Sequence, residues 1–168
     1  MQAREGFEPS RETDERWMRE ALGAAREAAR RGEVPVGACV VGRDGKLLAL
    51  AGNRTRSDCD PTAHAEVIAL REAARASGNY RLTGAVVYAT VEPCAMCAGA
   101  LVQARVERLV YGARDEKAGA VESVFQVCDA SSLNHRMTLT PGVLADDCRA
   151  LMQEFFRARR TARTKTEG

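Results

Sequence analysis

Two short stretches constrain this chain more than any other feature: Thr62-Ala63-His64-Ala65-Glu66 and Val91-Glu92-Pro93-Cys94-Ala95-Met96-Cys97. They supply one imidazole, one carboxylate and two thiols, each close to an expected helix start. For these groups to act together, the fold must bring two helix N-termini to one point. One His and two Cys suit a catalytic zinc ion with a fourth position left for water, and a carboxylate beside it suits acid–base work.

Around these stretches, helical and strand patterns alternate. A helix is expected over 13–31, capped by Thr13 or Asp14, with Trp17, Ala21, Ala24, Ala25 and Ala28 as a narrow apolar stripe and Gly32 as its stop. The small alanines permit close approach to a sheet. The apolar run 34–41, the Asp44-Gly45 turn and the run 47–51 predict a hairpin. Pro35 has no N–H, so the start of that first strand is expected to be an edge or to face a cavity. A second helix is expected over 62–77, stopped by Gly78; Asp60-Pro61 and Thr62 both remain candidate caps. A buried strand over 85–90, a helix opened by Pro93 and closing near Gln103, and a strand over 106–111 follow. The intervening helix predicts that these two strands are parallel. Residues 112–136 are irregular, 137–140 form a fifth strand, and a last helix from Val143 carries Leu144, Cys148, Leu151, Met152 and Phe155 at helical spacing. This order predicts an α/β chain: a three-layer α/β/α domain around a mixed five-stranded sheet.

A chain of 168 residues suits one domain, here 14–160, between a flexible polar tail over 1–13 and a basic, frayed tail over 161–168. With no apolar leader and no membrane-length run, a cytoplasmic location is expected. Cys39, Cys59, Cys128 and Cys148 are scattered singly, which argues against a disulfide framework, and Cys39 reads as a core residue. A net charge of +2 points to no particular partner. Its placement says more, because Arg157, Arg159, Arg160, Arg163 and Lys165 cluster at the end with Glu167 as the only acid. Such a run can track phosphates or simply be a solvated helix end.

Cys94 and Cys97 alone would also fit a redox pair or half of a four-cysteine zinc knot. The knot needs a second pair that the sequence lacks, and the redox reading leaves His64 and Glu66 without a purpose. Residues two apart share no helix face, so His64 and Glu66 can meet one water only if the helix end points at the metal. The zinc-protease pattern H-E-x-x-H is absent, and His135 reads as part of an Asn-His-Arg loop rather than a ligand.

His64-Ala65-Glu66 followed by Pro93-Cys94-Ala95-Met96-Cys97 resembles the H-x-E…P-C-x-x-C signature of the zinc-dependent cytidine/deoxycytidylate deaminase family. Nearly the whole chain after Asp14 is similar to its branch of bacterial tRNA-specific adenosine deaminases. The similarity runs through Glu33-Val34-Pro35-Val36-Gly37-Ala38, Gly52-Asn53-Arg54, Tyr111-Gly112-Ala113-Arg114-Asp115, Leu133-Asn134-His135-Arg136 and Phe155-Phe156-Arg157-Ala158-Arg159-Arg160. The resemblance implies a cytidine-deaminase-like fold and a homodimer that hydrolyses the wobble adenosine of an arginine tRNA anticodon to inosine, releasing ammonia. It implies one Zn²⁺ per subunit on His64, Cys94 and Cys97, with Glu66 as the proton shuttle and no nucleotide cofactor or membrane partner. It further implies that Val34, Asn53 and the backbone of Ala65 line the base pocket. Asp115, Lys117, Asn134, Phe156 and Arg159 would grip neighbouring nucleotides. A deaminase of free bases or nucleotides shares the zinc words, but would leave the Arg-rich end and the 133–136 word unexplained. A non-catalytic RNA-binding module that keeps zinc for folding is a third reading, in which Glu66 would be dispensable.

Overall fold

The computed structural model describes residues 9–166. Its elements are α1 (Arg11–Arg30), β1 (Gly37–Val41), β2 (Leu47–Gly52), α2 (Ala65–Ser77), β3 (Val86–Val91), α3 (Ala95–Gln103), β4 (Arg108–Ala113), β5 (Thr138–Thr140) and α4 (Ala145–Thr166). The five strands form one sheet in the order β2-β1-β3-β4-β5. β1 is antiparallel to both β2 and β3, whereas β3, β4 and β5 run parallel. The expected hairpin, the parallel β3/β4 pair and the fifth strand are all present.

Strand alternation sorts the core into two layers. Ala38, Val40, Val87, Ala89, Leu109 and Tyr111 face α2 and α3, while Cys39, Val41, Val86, Tyr88 and Val110 face α1 and α4. Helices on both faces of a mixed sheet make the three-layer α/β/α architecture. The alanine stripe of α1 allows it to lie almost on the strands. A Cβ added at Gly37 would sit 1.9 Å from the Ala21 carbonyl oxygen, and one at Gly52 would sit 2.6 Å from that of Ala24. No helix among the described residues is long and apolar enough to cross a membrane.

Several boundaries differ from expectation. α1 starts at Arg11, inside the expected tail, and Ser10 caps it by accepting the Thr13 N–H at 3.1 Å. Asp14, an alternative candidate for that cap, is buried instead. Its carboxylate accepts from Arg108 Nη1 at 2.8 Å and Nη2 at 2.6 Å, and from Tyr88 Oη at 2.9 Å. Residues 1–8 of the expected tail lie outside the described residues. At the other end, 161–166 continue α4 rather than forming a separate tail, and residues 167 and 168 lie outside the description.

β1 begins at Gly37 because the Val36 N–H closes a tight turn onto the Val34 carbonyl at 2.8 Å. Pro35 therefore precedes the strand, and β1 is an interior strand rather than an edge. The second helix begins at Ala65 rather than Thr62. Asp60 accepts both the Thr62 N–H and the Thr62 hydroxyl, at 2.8 and 2.7 Å, and that turn delays the helix.

Candidate functional site

The delayed helix starts place the ligand candidates. His64 is the N-cap of α2 and Cys94 the N-cap of α3, both with extended backbones (φ −73°, ψ 150° and φ −71°, ψ 174°) and no side-chain capping bond. A side chain at this position projects past the helix end. Asn53, at the end of the hairpin, caps α2 in place of His64: its Oδ1 accepts the Ala65 N–H at 2.9 Å. The His64 ring is thereby left for other work.

Because α2 and α3 pack on the same face of the sheet, their N-termini meet. The His64 Nδ1 lies 3.6 Å from the Cys94 Sγ and 3.5 Å from the Cys97 Sγ, and all three donor atoms lie within 4.8 Å of one another. A tetrahedral zinc with Zn–S of about 2.3 Å and Zn–N of about 2.0–2.1 Å requires an N···S separation of about 3.6 Å. The three donors fit zinc on that geometry and on their soft, borderline chemistry. Hydrogen bonds from the Cys97 and His64 side chains hold the Cys94 thiol down at about 3, and the same contact with Cys94 pushes Cys97 up. The Cys94 contact also raises His64. Protons shared among three such close donors are those a dication displaces.

Glu66 sits in the first turn of α2, only 3% exposed. Burial raises its carboxyl above the ordinary glutamate range, and the charge on Cys94 adds to this while His64 opposes it. Its Oε2 is buried without a hydrogen-bond partner. An unpartnered buried carboxylate oxygen costs more than the roughly 1–3 kcal/mol of a neutral polar group, so evolution retains one where a ligand will meet it. His64 at the N-cap points the start of α2 at the three donor atoms, with Glu66 in the first turn behind it.

The MafB19-like deaminase family model matches residues 12–160. The chain belongs to the MafB19-like deaminase family. It is 46% identical over 149 residues to the tRNA-specific adenosine deaminase of Haemophilus influenzae, covering 89% of this chain and 86% of that protein. It is 41% identical over 144 residues to the tRNA-specific adenosine deaminase of Bacillus subtilis, covering 86% and 89%. A solved structure from work on A-to-I editing by tRNA:A34 deaminases superposes with a TM-score of 0.78 at 44% identity, covering 81% of this chain and 98% of that one. The fold is thus that of the cytidine-deaminase-like enzymes.

The other expected substrate residues of this deaminase are not gathered in one place. Asn53 is 7% exposed, and with Oδ1 taken by Ala65 its Nδ2 is the atom left to donate. Val34 is half-buried in the turn before β1. Lys117 and Phe156 line one open groove of about 670 Å³ with Met152, Gln153, Arg157 and Arg160. Arg159 stacks on Phe155, 5.4 Å from the ring centre, rather than lining that groove. Asn134 is exposed in the 128–136 loop. His135 bonds the Val106 carbonyl through Nε2, a structural contact outside the His64, Cys94 and Cys97 group.

Two buried acids near the site carry no signal in the motifs. Glu33 is fully buried and accepts from the Ser57 N–H and hydroxyl, the Arg56 N–H and the Thr55 hydroxyl. Burial alone would raise its carboxyl, but these bonds win and lower it. Glu92, 2% exposed, immediately precedes the Pro93-Cys94 turn. A charge closing a largely apolar strand run is the one clue to it in the sequence.

Proposed function

We propose that this chain hydrolyses adenosine to inosine at the wobble position of a tRNA anticodon, that of an arginine tRNA, and releases ammonia. The observation that carries the reading is the convergence of His64 Nδ1 and two cysteine sulfurs beside a buried, unpartnered Glu66 oxygen. The identity to two proteins named tRNA-specific adenosine deaminase supports the choice of substrate.

His64, Cys94 and Cys97 would hold one Zn²⁺ per subunit, and zinc in such a site supplies a water acidified to roughly neutral pKa. Glu66 does the proton work. Its Oε2 takes one proton from water and delivers it to N1 of the adenine, making C6 electron-poor; the water oxygen bonds to C6, and Glu66 carries the second water proton to the exocyclic amine, which leaves as ammonia as the C6–N bond breaks. The raised carboxyl of Glu66 suits a group that must both take and give a proton. Asn53 Nδ2 donates to the base, and Val34 with the backbone of Ala65 lines its pocket. Because the Ala65 N–H is bound by Asn53, the Ala65 contribution to the substrate falls to its carbonyl and Cβ.

Outside the pocket, Asp115, Lys117, Asn134, Phe156 and Arg159 contact the anticodon loop. Its bases are already unpaired, which lowers the cost of turning one out. The reading also includes a homodimer in the cytoplasm; the exposed apolar side chains of Val124, Phe125 and Leu133 offer surface that a second copy would cover.

The test is incubation of zinc-replete protein with an unmodified arginine tRNA anticodon stem-loop, alongside free guanine, cytosine and adenosine. Inosine at the wobble position with no turnover of the free compounds is expected. Turnover of a free compound without inosine in the RNA would replace this reading by a small-molecule deaminase.

A further inference from the structure

The loop over 114–123 has no regular structure, yet it is bound tightly to the residues that start α3. Glu92 is the knot. Its Oε1 accepts the N–H groups of Val121, Glu122 and Ser123 at 3.2, 2.8 and 2.9 Å. Its Oε2 accepts the Asp115 N–H at 3.0 Å and the Ser123 hydroxyl. No salt bridge to Glu92 occurs among the described residues, so backbone amides and one hydroxyl carry the compensation of a buried charge.

Other contacts hold the same loop to the same turn. The Glu92 N–H donates to the Ala113 carbonyl at 2.8 Å, and the Ala120 N–H donates to the Pro93 carbonyl at 2.8 Å. Gly119 bridges Cys94, and a Cβ there would meet the Glu92 Cδ and Oε2 at 2.4 Å. Nothing larger than glycine fits where the loop crosses the carboxylate.

The loop conformation that results is specific. With its own N–H held by Glu92, Asp115 turns its carboxylate back onto the N–H groups of Lys117 and Ala118, at 3.0 and 3.1 Å, and its carbonyl accepts from Gly119 at 2.8 Å. That turn sets where Lys117 stands, and Lys117 lines the groove with Phe156, Arg157 and Arg160. We propose that Glu92 is a positioning residue for the RNA substrate: it gathers the amides of Asp115 and of Val121 to Ser123 onto one carboxylate beside Cys94, and so fixes Asp115 and Lys117 relative to the ligand turn. The inference rests on the tRNA-deaminase reading for the identity of the substrate, but not for the anchoring itself.

A carboxylate is an acceptor only, so neither of its oxygens opposes any of these donors. An amide is not: whichever way Glu92→Gln points, its NH₂ faces at least one backbone N–H. The test uses the zinc-replete full chain and its E92Q and S123A variants. It measures hydrogen exchange of the 114–123 segment, zinc content, the Kd of an anticodon stem-loop by anisotropy, and kcat at saturating RNA. For E92Q, zinc content equal to wild type is expected. Exchange of 114–123 should rise about tenfold with that of β3 and β4 unchanged, and the stem-loop Kd should weaken by about tenfold, the scale of one lost charge-assisted bond. At saturation kcat should stay within about threefold, because the chemistry at Glu66 is untouched. S123A, which removes one donor and leaves the backbone amides in place, should move exchange and Kd in the same direction by about threefold.

Unchanged exchange or unchanged Kd in both variants would overturn the proposal. So would a loss confined to kcat, which would place the role of Glu92 in the chemistry. If E92Q fails to fold, the S123A result alone decides. If wild-type protein makes no inosine, the substrate reading fails, while loop exchange and RNA affinity still decide the anchoring.

Discussion

Glu66→Gln should make the metal-free protein more stable and the zinc-loaded protein less active. Without metal, Glu66 is 3% exposed and its Oε2 has no partner among the protein's own groups. Leaving one buried polar atom unpaired costs roughly 1–3 kcal/mol, and a charge costs more. Glutamine keeps the shape and removes the charge, so we expect a gain of about 1–2 kcal/mol, the excess of a charged over a neutral orphan. In a domain of this size, that gain is a rise in Tm of roughly 2–8 °C. On the mechanism proposed above the same substitution removes the proton shuttle, and general acid–base catalysis contributes roughly 10²–10⁴-fold, so kcat should fall by about that factor. The assay pairs calorimetry of the metal-free protein with single-turnover inosine formation by the zinc-replete protein, and metal analysis confirms that zinc is retained in the latter. A stability loss would show that Glu66 is a structural acid whose unpaired oxygen was never a burden. Unchanged turnover would show that protons move elsewhere, as the zinc-folding RNA module requires.

Three further outcomes follow from the same structure. Glu33 is held below its ordinary range in the folded chain, so the stability it confers is present above the usual glutamate pKa of about 4.3 and is lost as pH falls through and below it. Acid titration of stability should be flatter for E33Q than for wild type, and equal slopes would contradict the bond network to residues 55–57. Gly37→Ala would drive a Cβ to 1.9 Å from the Ala21 carbonyl. With backbone on the far side the helix must move, and we expect a loss of about 3 kcal/mol or more in urea unfolding. Lys117→Ala should weaken stem-loop binding similarly for different loop sequences and reduce the slope of log K against log[salt] by roughly one unit, with kcat at saturation preserved.

The elements were legible because local patterns and tertiary demands agree in them. Alternation along β1, β3 and β4 is the same alternation that divides the two core layers. The alanines of α1 face the very glycines that let it approach. His64, Cys94 and Cys97 were legible because their chemistry is unusual at that spacing, and the structure brings their donor atoms together. What escaped depends on partners far away in sequence. Asp14 has the look of a helix cap, but Arg108, 94 residues on, takes it into the core and leaves capping to Ser10. Thr62 looks like a helix start until Asp60 claims its N–H and hydroxyl. Glu33 and Glu92 sit within notable stretches but are neither ligands nor part of an acid–base pair, and their roles come from loops that fold back 22 to 31 residues later. Side chains that tie irregular loops leave no period to read.

X-ray absorption at the zinc edge tests the account most directly, because everything rests on a metal held by three protein donors with one position left for water. The account predicts one zinc per chain, with two sulfurs at about 2.3 Å and two light atoms at about 2.0–2.1 Å. It also predicts loss of the metal in H64A and C97S. A shell of four sulfurs, or a metal that survives the loss of His64, would contradict it.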